Sequence, residues 1–237
     1  LDNYMPKLVR AGQRVAVCDQ LEDPKMVKGI VKRGVTELVT PGVTFNDNVL
    51  NQRQNNYLCA IHFDNSDLCG IAILDISTGD FQTAQGNWSY IDKLIQSFNP
   101  SEILYNKAKK KEISVFLGER WVSFAQDDWV YQFDFAHEKL TKHFATQNLK
   151  GFGVENLKHG IVAAGAVLQY LADTEHHEIA HITSLSRIEE ERYVWLDKFT
   201  IRNLELVYAH FEGGVPLIDI LDDTQTPMGA RMLKNWL

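Results

Sequence analysis

A chain of 237 residues with 45% hydrophobic and 23% charged residues has the apolar material for one or two packed domains, which excludes a disordered chain. Its 24 Lys and Arg stand against 31 Asp and Glu, a net charge of −7, so bulk charge alone does not hold nucleic acid. Three cysteines, Cys18, Cys59 and Cys69, are too few for a disulfide scaffold and read as reduced, buried thiols of a cytosolic protein. No apolar run reaches the ~18 residues of a spanning helix, and no signal peptide opens the chain. It begins at Leu1 and stops at Trp236-Leu237 inside a helical pattern. Both ends read as cuts, so the expectation is a piece of a longer protein.

Residues 1 to 11 read as a helix closed by Gly12. Residues 14 to 20 alternate like a strand, Pro24 starts a possible short helix, and residues 35 to 40 read as a second strand stopped by Pro41-Gly42. Residues 43 to 54 are rich in Asn and Gln without period and read as a linker. Three strands follow, over 57 to 63, 68 to 75 and 80 to 84, with two short turns between them, which predicts an antiparallel meander. Residues 88 to 98 have helical spacing and stop at Asn99-Pro100. The order continues as strand (102 to 105), helix (107 to 117), strand (121 to 124) and helix (133 to 144). It closes with an Ala-rich helix over 161 to 173, whose Ala163, Ala164, Gly165 and Ala166 allow close approach of a neighbour. That order predicts an α/β layer structure with a mixed sheet, as in the ribonuclease H-like fold. Residues 174 to 185 read as a second linker, 189 to 196 as strand, and 201 to 211 and 227 to 237 as amphipathic helices.

Several patterns carry possible chemistry. His177-Glu178-Ile179-Ala180-His181 matches H-E-x-x-H, which on a helix would put two histidines on one face for Zn²⁺ with the Glu as general base. A third ligand would have to come from Glu205 or His210. The motif lies in a polar stretch, and a solvated linker is the plainer reading. A ribonuclease H-like nuclease needs carboxylates converging at strand ends to hold two Mg²⁺. Asp64, Asp75, Asp92 and Glu102 are the candidates, but turn residues are the plainer reading of the aspartates. Gly151 to Asn156 begins like a dinucleotide loop but lacks its third glycine, and no Gly-Lys pair exists for a phosphate-cradling loop. Lys25, Lys28, Lys32 and Arg33, and separately Lys107 and Lys109 to Lys111, form basic clusters that would suit phosphates or simply solvated faces.

Longer stretches identify the chain. They are YMPKLVRAGQRVAVCDQLEDPK (4 to 25), VKRGVTELVTPGV (31 to 43), NNYLCAI (55 to 61), GIAILDISTGDF (70 to 81), GFGVEN (151 to 156), AAGAVLQYLADT (163 to 174), TIRNLEL (200 to 206) and LDDTQTPMGARMLKNWL (221 to 237). Together, and in this order, they resemble the bacterial DNA mismatch-repair family MutS. The resemblance implies that residues 1–42 are the later part of a mismatch-recognition domain of α+β type, and that 43–54 are a linker. Residues 55–180 would be a connector domain with a ribonuclease H-like fold and no nuclease activity, and 188–237 the start of an α-helical core or lever domain. The family's Phe-x-Glu wedge, its DNA clamp and its ATPase are not in this chain. The resemblance therefore implies no catalytic, cofactor-binding or metal residue here. The parent would bind mismatched double-stranded DNA as a homodimer, use ATP and Mg, and recruit a MutL-type protein. It would work in the bacterial cytoplasm at the nucleoid, without a membrane. In this alignment the HEIAH stretch falls on the connector-to-core link, where the family has no metal role.

Overall fold

The computed structural model describes residues 4–23, 26, 29–43, 55–64, 67–118, 120–174, 179–189, 196, 198–211 and 213–237. The first unit is small. Helix α1 (Met5–Arg10) packs Met5 and Val9 on a hairpin of β1 (Val15–Gln20) and β2 (Arg33–Val39), which contributes Val15, Val17 and Val39. Gly12 follows the helix at φ +79°, a backbone region glycine enters without a Cβ penalty. The helix expected from Pro24 falls partly outside the described residues, and Gly29 and Ile30 form a bend.

The second unit is built on β3 (Tyr57–Phe63), β4 (Leu68–Asp75), β5 (Asp80–Asn87), β6 (Glu102–Asn106), β7 (Ser123–Gln126) and β8 (Ser186–Arg187). These form one mixed sheet in the order β7-β6-β3-β4-β5-β8. The meander β3-β4-β5 is antiparallel, while β6 runs parallel to β3, β7 to β6 and β8 to β5. β3 and β4 are near-continuous apolar runs because helices cover both faces of the sheet. Alternation then sorts the side chains. Leu58, Ala60, Ala72, Leu74 and Leu104 point to one layer, made by α4 (Phe133–His143) and α5 (Lys158–Asp173). Cys59, Ile61, Ile71, Ile73 and Ile103 point to the other, made by α2 (Trp88–Phe98) and α3 (Lys110–Leu117).

The small residues of α5 do what their size suggests. A Cβ on Gly165 would stand 2.4 Å from Ala136 Cβ of α4. A Cβ on Gly70 would stand 2.0 Å from the His159 carbonyl carbon, so α5 crosses β4 with backbone against backbone.

Several expectations are corrected. β5 runs on to Asn87, and β7 starts at Ser123 rather than at residue 121. The 174–185 stretch is not all solvated linker, since Ile182 and Leu185 are buried in the α4/α5 layer and Ile188 packs on the α2/α3 face. The packed unit therefore runs past residue 180. Val43 is likewise buried, in contact with the core that holds Leu58, and so belongs to the packed structure; residues 44–54 lie outside the described residues. Of the strand expected over 189–196, residues 190–195 also lie outside them; the strand seen is β8.

The C-terminal segment carries α6 (Lys198–Asn203), α7 (Leu217–Leu221) and α8 (Pro227–Trp236). The helix expected over 201–211 ends after Asn203. Glu205 turns to φ +48°, and its Oε1 accepts from the His210 N–H at 2.8 Å. The apolar face that should have prolonged the helix is in water, with Tyr208 67% and Phe211 81% exposed. A short helix without packing on its apolar face is marginal. α8 is held at its start instead, where Thr226 Oγ1 accepts from Gly229 N at 3.1 Å.

Candidate functional site

The carboxylates named for a nuclease do not converge. Asp64 follows the end of β3, whereas Asp75 closes the antiparallel β4 opposite Tyr57, at the other end of the sheet. Asp75 is a buried turn residue. Its Oδ1 accepts from the Ser77 N–H (2.9 Å) and Oγ–H (2.6 Å), and its Oδ2 from Asn55 Nδ2 (2.8 Å). Asp92 faces outward on α2 and accepts from Gln96 Nε2. Among the described residues no three His, Cys, Asp or Glu side chains are grouped to hold a metal ion.

The zinc pattern is not helical where it is described. His177 and Glu178 lie outside the described residues; 179–181 are a turn. The His181 Nε2 lies 2.6 Å from the Ile76 carbonyl oxygen. A carbonyl only accepts, so Nε2 carries the proton there and ligation through it would break this bond. Glu205 and His210 bond to one another rather than facing His181. The 151–156 run forms a short 3-10 turn leading towards α5. In the first basic cluster, Lys25 and Lys28 are outside the described residues and Lys32 and Arg33 are exposed. In the second, Lys109 reaches over the Phe63 ring at 5.4 Å and pairs with Glu112 at 3.9 Å.

The thiols are only partly as expected. Cys59 and Cys69 are buried and free, but Cys18 is exposed on β1. Burial raises the Cys59 thiol, and burial with Asp64 and Asp67 pushes Cys69 up to about 12, so neither is a nucleophile at neutral pH. Above the end of β3, His62 lies between the His159 ring (5.2 Å) and the Tyr131 ring (5.8 Å). Burial, then the neighbouring His159, lowers its pKa to about 4; Lys109 adds to this and Asp64 opposes it.

The strongest convergence of polar groups is the junction between the two units. Glu102, 1% exposed at the start of β6, lies at its centre. Its Oε2 accepts from the Thr40 hydroxyl at 2.6 Å and the Gly42 N–H at 3.1 Å. Its Oε1 accepts from the Tyr170 hydroxyl on α5 at 2.6 Å. Burial, and then the carboxylate itself, raise the Tyr170 phenol well above its ordinary value, so it stays a donor. Arg14 of the first unit lays its guanidinium 3.8 Å from the Phe124 ring centre and 5.6 Å from that of Tyr170. The Leu38 N–H donates to Thr174 O at 3.4 Å, and Asn56 Nδ2 to Pro41 O at 3.0 Å. A Cβ on Gly42 would stand 2.8 Å from both Glu102 Cβ and Leu58 Cδ1. A buried carboxylate needs such donors to be tolerated at all. Sequence reasoning weighed Glu102 only as a metal ligand and passed over Tyr170. The signal was there: one acid opening the buried run EILY, and one phenol just after the apolar run 161–168 of α5.

A second surface feature was also missed. Trp129 and Phe133 are 50% and 38% exposed, and Trp129 packs edge-on against Phe135 at 4.9 Å. The exposed acids Asp127, Asp128, Asp134 and Glu138 surround them. The run DDWVYQFDF announces it in the sequence.

Comparison with known proteins agrees with this division. The family described as MutS domain I matches residues 1–48, and that described as MutS domain II matches 56–183. The DNA mismatch repair protein MutS of Cytophaga hutchinsonii is 64% identical over all 237 residues. Those of Phocaeicola vulgatus and Bacteroides thetaiotaomicron are 60% and 58% identical over the same span. The chain covers 28% of the length of the first and 27% of each of the others. Among the described residues no helix is long and apolar enough to cross a membrane. With more than half of its residues in the domain II match, and the domain I match ahead of it, the chain belongs to the MutS family.

Proposed function

We propose that this chain is the connector region of a mismatch sensor, mechanical and scaffolding in its work rather than catalytic. Residues 1–42 are the end of the mismatch-recognition domain, 55–180 and the residues packed on them the connector, and 188–237 the start of the lever. The observation that carries the reading is the junction, where residues 38–43 leave the first unit and are bonded into the second. A strut needs such a joint; a flexible tether does not. The ribonuclease H-like label is supported by the central order β5-β4-β3-β6-β7, three antiparallel strands followed by two parallel ones. The scattered carboxylates support a connector over a nuclease.

The parent protein binds mismatched double-stranded DNA as a homodimer, uses ATP and Mg, and works in the cytoplasm at the nucleoid. A mismatched step unstacks and kinks at lower cost than a matched one, which gives such a sensor its selectivity. The exposed aromatic and acidic face around Trp129 and Phe133 is the surface we assign to the MutL-type partner. Buried aromatic anchors carry most of the energy of an interface, and these two have area to lose. The test is the full-length parent with Trp129→Ala and Phe133→Ala together. Biolayer interferometry should show binding of the MutL-type protein weakened at least about tenfold. Affinity for a G·T duplex should stay unchanged. Undiminished binding of the partner would overturn the assignment of this face. In the chain alone, anisotropy should show no salt-resistant preference for a G·T over a matched duplex.

A further inference from the structure

We infer that Glu102 is a positioning residue, a carboxylate bridge that makes the end of the first unit and the last turn of α5 move as one. The inference rests on the connector reading, because a bridge has a role only if the two units transmit motion.

The two oxygens of this carboxylate serve different elements. Oε2 holds Thr40 and Gly42, which lie in the chain leaving β2. Oε1 holds Tyr170, one turn before α5 ends at Asp173. The same turn receives the first unit a second time, through Leu38 N–H on Thr174 O. Thr174 is itself anchored, its hydroxyl donating to the Tyr170 carbonyl at 2.8 Å and its N–H to the same oxygen at 3.0 Å. Tyr170 therefore links the carboxylate to the backbone turn from which the chain continues towards residues 179–189. Glu102 stands on β6, next to the central strand β3 at Leu58, and provides the fixed point. Charge and directionality suit the task. A carboxylate has acceptor sites for all three donors at once, and bonds to an ionised group are short and strong. An apolar side chain here would leave two hydroxyls and one N–H buried without an acceptor. Packing alone would have been met by leucine.

The test is hydrogen exchange on the chain as it stands. The reporters are the amides of Leu38, Thr40, Gly42 and Val43 on one side and of Thr174 on the other, all hydrogen-bonded here. Tyr170→Phe removes one hydroxyl on α5, which faces Glu102 and Thr40, and keeps the ring that Arg14 of the first unit lies over. If the bridge couples the two, exchange at 38–43 rises at least about tenfold, the worth of one charge-assisted hydrogen bond. Amides of residues 58–61 and 71–74 keep their rates. Glu102→Met should release both sides together. Glu102→Gln should restore most of the protection, since its carbonyl accepts from Thr40 and Gly42 and its NH₂ donates to the Tyr170 oxygen. Unchanged exchange at 38–43 in Tyr170→Phe would overturn the bridge. So would a uniform rise over the whole sheet in Glu102→Met, which would make Glu102 a stability residue only. Neither result bears on the partner-binding test above, so the bridge and the assignment of the partner face fail separately.

Discussion

The sheet unit and the C-terminal segment were equally well patterned in sequence, yet they have different fates. Apart from Leu68 at the start of β4, β3, β4 and α5 keep their apolar residues buried, between helices on both sides. The segment from 198 onward has residues just as apolar at good helical spacing, but Phe199, Ile220, Met228 and Trp236 stand mostly in water. The difference lies in partners. A periodic face specifies a helix only when something covers it; otherwise short turns and caps decide what survives. α8 survives on Pro227 at its start and the Thr226 cap, while the helix expected over 201–211 stops at Asn203 with Tyr208 and Phe211 uncovered beyond it.

The largest effect should separate the two regions directly. Leu74→Ala opens a cavity in a fully buried layer and should cost about 2–5 kcal/mol, read as a lowered denaturation midpoint at unchanged slope. A loss under about 1 kcal/mol would mean that the layer is more loosely packed than it looks, and would weaken the contrast.

A smaller effect lies at the end of β3. His62 titrates near 4 when folded and near 6.5 when unfolded, so the unfolded chain binds the extra proton. Stability is unaffected above about pH 6.5, falls as pH drops from there to about 4, and levels off below. The loss approaches about 3 kcal/mol, since each tenfold weakening of proton binding is worth ~1.4 kcal/mol. His159, Asp64, Lys109 and Tyr131 face this ring and remain in place in a His62→Gln variant. That variant should have a flatter stability profile between pH 6.5 and 4, by urea unfolding. An equally steep profile would assign the acid sensitivity elsewhere.

How much was legible follows the same division. The bounds of β3, β4 and α2 could be read from sequence because period, turn residues and the Asn99-Pro100 stop all agreed. The small-residue face of α5 also announced its close packing. β8 was not legible, because two exposed residues beside β5 carry no period. Nor was the burial of Ile182 and Leu185, which sit in a polar stretch and are recruited by the core beneath them. The junction was half legible. Glu102 drew notice as an acid, but periodicity cannot say that its partners come from residues 40, 42 and 170. The separation of Asp64 from Asp75 was legible, since the antiparallel meander expected from the two short turns puts the ends of successive strands at opposite ends of the sheet, as the register of β3 against β4 has it.

The smallest effect is the most direct test of the contrast. Phe211 is 81% exposed and Tyr208 67% exposed, so truncating them removes little buried area. Phe211→Ser and Tyr208→Ser should each change the unfolding free energy of this chain by less than about 0.5 kcal/mol, the range of an ordinary surface site. Their amides, and those of residues 198–237 generally, should exchange faster than residues 57–63 and 68–75, because local opening there disrupts few buried contacts. α8 should be the slowest part of the segment, since its Thr226 cap and Ala230, 4% exposed, give it some anchorage. If Phe211→Ser instead costs as much as a core truncation, the residue is covered in solution by a neighbour or by a second copy of the chain. Repeating the measurement at several protein concentrations separates those two outcomes, since only self-association makes the loss depend on concentration.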